Sequence, residues 1–309
     1  MEILVTTGNF ENYVSPDFHY LMIELGKISN LTIWYEPGNI HEILNHLLIK
    51  PDFILINEFG ETNTPKITGL SSLTIPYGIY VYDIHYQIEA RKQAIAQEKV
   101  RHVFSHYRDK FYLWFHDYAA KMRWLPQHAN LEVFKDYGLP KDIDYLLMGA
   151  VGERVYPLRY KIVETMKNRP NFVYHEHPGF KYFAQDDDAY VGVKYAREIN
   201  RAKLFLTCDS IYQYPIAKYF EVPACKTLLL APFSKELADL GFIPGVNFVS
   251  IDEYDFLEKA EYYLNHETER SEIAEQGYQM VRSRHSTVKR ATELLAMIEE
   301  IVRNEKSYD

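Results

Sequence analysis

Short apolar runs, each followed by an amphipathic stretch, recur from the first residues of this chain, and that alternation narrows the possible folds more than any other feature. Ile3-Leu4-Val5 is an apolar run closed by a turn at Gly8. Ser15-Pro16-Asp17 then supplies an N-cap, a first-turn proline and a first-turn acid ahead of Phe18, Leu21, Met22 and Leu25, whose spacing predicts a helix over about 16–28. Leu31 to Tyr35 reads as a second strand, Ile40, Ile43, Leu44, Leu47 and Leu48 as a helical stripe, and Phe53 to Ile56 as a third strand. A β-α-β-α-β order calls for a parallel sheet, the pattern of a Rossmann-type unit.

The alternation continues. Tyr77 to Tyr82 is strand-like, a charged helix follows over Gln87–Gln97, and Val103-Phe104 and Trp114-Phe115 fit short strands or their flanks. A polar, turn-rich stretch through Pro140-Lys141-Asp142 precedes a new strand, Tyr145 to Gly149, which places a domain boundary near residue 138. Beyond it come a helix at Leu158–Asn168, a strand at Phe172–Tyr174, a helix at Tyr190–Asn200 and a strand at Leu204–Leu206. The end is helical, with Val288, Ala291, Leu294, Leu295, Ile298, Ile301 and Val302 on one stripe. The expected organisation is therefore two α/β domains, 1–138 and 139–309, the second carrying the terminal helix. With 309 residues the chain is long enough for both.

Composition excludes several classes of function. Hydrophobic residues make up 47% and charged residues 25%, as in ordinary globular proteins. The net charge of −9 argues against nucleic acid as a partner. No apolar run approaches the ~20 residues of a transmembrane helix, and the N-terminus lacks a signal-peptide pattern. Cys208 and Cys225 both lie in apolar segments and read as buried free thiols. A cytoplasmic location is the expectation.

Unusual residues concentrate between Gly149 and Glu221. Gly149 ends a strand and opens a loop into a helix, where backbone amides could meet a diphosphate and Arg154 or Arg159 could neutralise it; a plain strand-to-helix turn is the competing reading. His175-Glu176-His177-Pro178-Gly179-Phe180 puts His177 and Gly179 in a loop at the same sheet edge, and two histidines without a third ligand make a poor metal site. Asp186-Asp187-Asp188 contains an Asp-x-Asp that is read more simply as a solvated loop. Ser210, Gln213 and Tyr214 lie in a loop that leads to Lys218 and Glu221, three residues apart on one helix face. A carboxylate there can bind ribose hydroxyls and the ammonium a diphosphate, although a surface salt bridge accounts for the pair equally well.

In this half the chain resembles the CgeB-like branch of the family 4-type glycosyltransferases. The resemblance rests on His177 to Phe180, Ile199 to Lys203, Lys218 to Ala224, Leu240 to Phe248, and Ala274 to Gly277 leading to His285, and spans about residues 145–295. It implies a GT-B fold, two Rossmann-like domains facing across a cleft, with a nucleotide-diphosphate sugar, of UDP type, held by the second domain. The acceptor, a glycan, protein or other hydroxyl compound, would approach from the first. In the superfamily two glutamates separated by seven residues line the donor site. Glu221 matches the second, the ribose contact, and the first position is Gln213. Relatives often carry glycine where Lys226 stands.

In the first half, Asp83 and His85 follow a strand, and an aspartate that orients a histidine makes a candidate acid–base pair; strand-end caps are the competing reading. Gly8 could let an acceptor approach the backbone, or could serve a tight turn. The expected activity is metal-independent glycosyl transfer without a cofactor. Alternatives are a donor-binding relic, a sugar-nucleotide epimerase, or a transferase acting on modified DNA bases. The 26 tyrosines suit sugar stacking or ordinary cores.

Overall fold

The computed structural model describes residues 1–60, 63–184 and 187–306. The chain divides into two compact units. The first comprises Met1–Glu11, Phe18–Pro126 and Val288–Asp309; the second comprises Asn12–Asp17 and Gln127–Thr287.

In the first unit the elements are β1 (Glu2–Thr6), α1 (Asp17–Ile28), β2 (Asn30–Trp34), β3 (Gly38–Asn39), α2 (Ile40–His46), β4 (Phe53–Asn57), β5 (Ile67–Thr68), β6 (Tyr77–Val81), α3 (Ile88–Gln97), β7 (His102–Ser105), α4 (Arg108–Trp114) and β8 (Met122–Trp124). Six strands form one parallel sheet in the order β2-β1-β4-β6-β7-β8, and β3 pairs with β5 separately. β4 and β6 are buried at every position, which is why Phe53–Ile56 and Tyr77–Val81 read as apolar runs.

The second unit contains β9 (Ile143–Met148), α5 (Pro157–Met166), β10 (Phe172–His175), α6 (Gly192–Arg201), β11 (Ala202–Leu206), α7 (Lys218–Ala224), β12 (Leu228–Ala231), α8 (Lys235–Asp239), β13 (Val249–Ser250), α9 (Phe256–Asn265) and α10 (Glu267–Arg284). Its five strands run parallel in the order β10-β9-β11-β12-β13. The core gathers Leu147, Ile162, Met166, Leu204, Leu206 and Leu230, all essentially inaccessible.

The terminal helix α11 (Thr287–Lys306) departs from the expected organisation. Ala291, Leu294, Ile298 and Ile301 join Ile3, Val5, Leu21 and Leu55 in the core of the first unit. The chain passes between units at 126/127 rather than 138/139 and returns at 287/288. Both passages lie beside each other, because Ala129 N donates to His285 O at 2.9 Å and Thr287 N to Ala129 O at 3.1 Å. Val288 is exposed, a turn ahead of the buried stripe. Trp114 and Phe115 end a helix instead of forming a strand, since Phe111 and Phe115 stack at the i,i+4 spacing with centroids 5.0 Å apart.

Candidate functional site

A strand order that runs outward in both directions from β9 and β11 creates a crevice beyond their carboxyl ends, where open parallel sheets bind ligands. Arg159, in the first turn of α5, bridges that crevice. Its Nη1 donates to Ala150 O beyond β9 (3.2 Å), while Nε donates to Thr207 Oγ1 (3.1 Å) and Nη2 to Cys208 O (2.7 Å) beyond β11. The guanidinium stacks on Tyr156, 4.1 Å from the ring centre, and is almost wholly buried. Its hydrogen bonds therefore go to the protein, and what it offers a ligand is chiefly charge.

Gly149 explains how a second cation fits against the first. Its φ is +130°, and a Cβ there would lie 3.3 Å from Arg159 Nη1 and 3.4 Å from Lys218 Cε. That backbone conformation favours glycine, and the missing side chain leaves the lysine and arginine ends in close contact with the strand end. Burial, followed by the Arg159 charge, lowers Lys218 to about 8, with Glu221 and Asp17 opposing. His177 is lowered as well, by burial first and then by Lys218 and Arg159, so the imidazole feels both cations. Its Nδ1 accepts from Gly179 N at 3.0 Å, in a tight turn where Gly179 takes φ +97°.

One turn along α7 from Lys218, Glu221 is buried and accepts a hydrogen bond from the Tyr195 hydroxyl at 3.3 Å. Burial raises its carboxyl, while Lys218 and Tyr195 pull it down. Lys218 Nζ stands 5.7 Å from the Tyr195 ring centre. Asp17 joins this group: burial and then the Glu221 carboxylate push its carboxyl up to about 7, with Lys218 opposing.

The structure thus assembles Gly149, Arg159, His177, Lys218 and Glu221, and adds Tyr195 and Asp17, which the sequence pattern does not single out. Tyr195 is hidden because it sits on the buried side of an ordinary amphipathic helix, and Asp17 because it reads as a helix start. Ser210, Gln213 and Tyr214 lie in the loop after β11. Ser210 is buried, its oxygens accepting from Tyr212 N (3.2 Å) and Gln213 N (2.8 Å); Gln213 is exposed with φ +56°, and the Tyr214 ring stacks on Tyr212. Asp186 lies outside the described residues. Among the described residues no three His, Cys, Asp or Glu side chains gather as metal ligands, and no helix is long and apolar enough to cross a membrane. A hollow of about 520 Å³ between α6 and Leu139–Asp142 includes none of the residues that converge at Gly149.

The segments that carry the resemblance also have packing roles. Asn200 Nδ2 donates to Lys135 O and Ala196 O (2.8 and 2.9 Å), and its Oδ1 accepts from Tyr137 N (2.8 Å). A Cβ on Gly277 would meet Asn247 O at 2.5 Å, so α10 needs glycine where it crosses that turn and Pro223 of α7. Lys226 has φ +56°, the left-handed backbone that glycine adopts without strain, and pairs with Glu275 at 2.9 Å.

In the first unit, Asn57 Nδ2 donates to Thr7 Oγ1 (2.8 Å), linking the ends of β4 and β1. Arg91 is buried against Glu58 (3.1 Å) and donates to Asp83 O (2.7 Å). His85 is lowered by burial, with the Asp83 carboxylate opposing and Arg91 reinforcing the shift. The space beside the Gly8 Cα is filled by the chain itself: a Cβ there would fall 1.9 Å from Asn63 O, so this glycine is needed for loop packing.

The sequence pattern of a family described as glycosyl transferase-like matches residues 159–296. No curated protein matches the sequence. Among solved structures, Anabaena HepE in complex with UDP-glucose superposes with a TM-score of 0.64 at 10% identity, covering 97% of this chain and 100% of that one. A glycosyltransferase from Rickettsia africae gives 0.60 at 13% identity, covering 98% of each chain. Sucrose-phosphate synthase from Thermosynechococcus elongatus gives 0.58 at 14% identity, covering 82% of this chain and 74% of that one. The fold is GT-B, two Rossmann-like parallel-sheet units.

Proposed function

We propose that this chain is a glycosyltransferase that moves a sugar from a nucleotide-diphosphate donor, of UDP type, to a hydroxyl acceptor. The observation that carries the reading is the closure of Lys218 and Arg159 over Gly149 at the β9–β11 crevice. Two cations and a neighbouring imidazole in a partly desolvated crevice suit a diphosphate. Glu221, held by Tyr195, accepts from the ribose hydroxyls. The family match over 159–296 supports the reading, as does the fold shared with HepE, whose structure holds UDP-glucose. We assign the CgeB-like branch on the motifs around His177, Lys218 and Gly277.

In the reaction the acceptor oxygen forms a bond to the anomeric carbon as the bond from that carbon to the diphosphate oxygen breaks. Negative charge grows on the diphosphate, and Arg159 and Lys218 offset it there; stabilising charge that develops in the transition state is the strongest form of electrostatic catalysis. This assigns the neutralisation to side chains rather than to a divalent ion. His85, where burial favours the neutral imidazole, takes the acceptor proton with Asp83 steadying the imidazolium.

Release of nucleoside diphosphate from UDP-glucose, UDP-N-acetylglucosamine and GDP-mannose tests the reading. Release that survives EDTA and is lost in Lys218→Gln supports it; release that requires added magnesium contradicts the assignment of charge to Lys218 and Arg159. The Gln213 departure favours a second reading, a donor-binding protein without turnover, which would show nucleotide binding and no release with any acceptor.

A further inference from the structure

His85 sits in a turn that a buried ion pair holds from behind. Just beyond β6, Tyr86 N donates to Asp83 O at 2.9 Å, which makes Ile84 and His85 the two central residues of a β-turn. Ile84 is fully buried and His85 partly exposed. Glu58 and Arg91 grip the backbone where that turn begins. Glu58 accepts from Tyr82 N at 2.7 Å through Oε1 and from Arg91 Nη2 at 3.1 Å through Oε2, and Arg91 Nη1 donates to Asp83 O at 2.7 Å. The Asp83 carbonyl therefore accepts both from the amide that closes the turn and from the guanidinium.

Both partners are anchored in regular structure. Glu58 N donates to Tyr80 O at 2.9 Å, one residue past β4, and Arg91 N to Gln87 O at 3.0 Å as α3 opens. Glu58 takes φ +61°, a left-handed backbone that disfavours any residue with a Cβ, yet the position holds a glutamate. The side chains of Arg91 and Glu58 are only 4% and 8% exposed, and for stability alone apolar residues of that size serve as well as a buried ion pair. What apolar residues cannot supply is the acceptor for Tyr82 N and the donor to Asp83 O. Neither charge is open enough to meet a substrate, so the pair acts through the turn.

We propose that Glu58 and Arg91 are positioning residues for the transfer, fixing the backbone at Tyr82 and Asp83 so that the His85 imidazole is presented to the acceptor hydroxyl. The inference rests on the reading of His85 as the base.

The test is nucleoside-diphosphate release from UDP-glucose, with water standing in for the acceptor hydroxyl, in Arg91→Met, Arg91→Lys, Glu58→Gln and the double variant Glu58→Leu/Arg91→Leu, each also made in a His85→Gln background. A base displaced by a fraction of an ångström to an ångström costs about tenfold to a hundredfold in kcat. We expect that loss in Arg91→Met and Glu58→Gln, with KM and UDP affinity within about threefold of wild type, and partial recovery in Arg91→Lys, which keeps a charged donor. The double variant, in which no charge is left buried without a partner, should keep its Tm and still lose kcat; it carries the test if a single variant fails to fold. In the His85→Gln background the same changes should lower kcat no further, since residues that act through one group are not additive. Wild-type kcat in a folded variant overturns the proposal, and so does a loss of the same size with and without His85, which marks the pair as structural. His85→Gln alone at the wild-type rate overturns the base assignment, and the positioning role with it.

Discussion

The Tyr195 hydroxyl donates to Glu221 Oε2 across 3.3 Å and so joins α6 to α7 at the carboxylate assigned to ribose. The distance is long for an O–H···O bond, which puts its contribution at the low end of about 0.5–1.5 kcal/mol. Tyr195→Phe should weaken nucleoside-diphosphate binding about threefold at pH 7. Because the lost bond favours the charged carboxyl, the pH below which binding fails should move upward. Titration calorimetry from pH 5 to pH 8 reads both effects.

Lys218 gives a second pH dependence, of opposite sense. Its pKa in the folded protein is about 8, below the ordinary 10.5, because burial and Arg159 disfavour the ammonium. Diphosphate binding that uses the ammonium is full below about pH 8 and weakens above it, by at most about tenfold per pH unit for a single proton. Lys218→Gln should bind weakly at every pH and show no such decline.

Gly149→Ala should damage fold and site together. The residue sits at φ +130°, outside the comfortable range of alanine, and its methyl would press on Arg159 and Lys218. A loss of about 1–3 kcal/mol is expected from the backbone alone. Urea unfolding measures that loss, and diphosphate binding of the surviving folded protein should fall with it.

Leu294→Ala tests where the terminal helix belongs. The side chain is fully buried in the core that contains Ile3, Val5 and Leu55, so truncation should cost about 2–5 kcal/mol in urea or thermal unfolding. Val288→Ala, on the exposed first turn of the same helix, should change stability by less than about 0.5 kcal/mol.

Much of the architecture is legible in the sequence because parallel strands buried on both faces, such as Phe53–Ile56 within β4 and Leu228–Ala231, read as continuous apolar runs. Trp114 and Phe115 mislead because a two-residue aromatic run has no period of its own; the decisive partner is Phe111, four residues earlier. The unit boundary is not legible, since local polarity marks a loop at 138–144, while the true passages at 126/127 and 287/288 are set by which core Leu294 and Ile298 enter. Within the site, Lys218 and Glu221 stand out as charges on an apolar helix. Gly149 is recognisable as a strand-end glycine, but its partners become visible only when α5 and α7 are placed. Tyr195 and Asp17 carry no local signal, because what matters about each is a neighbour 26 residues away in one case and a second segment of the chain in the other.

The most direct test is a calorimetric titration of wild type and Glu221→Ala with UDP, GDP, TDP and CMP. The account predicts that UDP binds wild type, raises its Tm, and loses at least tenfold in affinity in the variant while the variant stays folded. If folded wild type binds none of the four, with and without magnesium, the crevice at Gly149 is not a nucleotide site and the transferase account is contradicted.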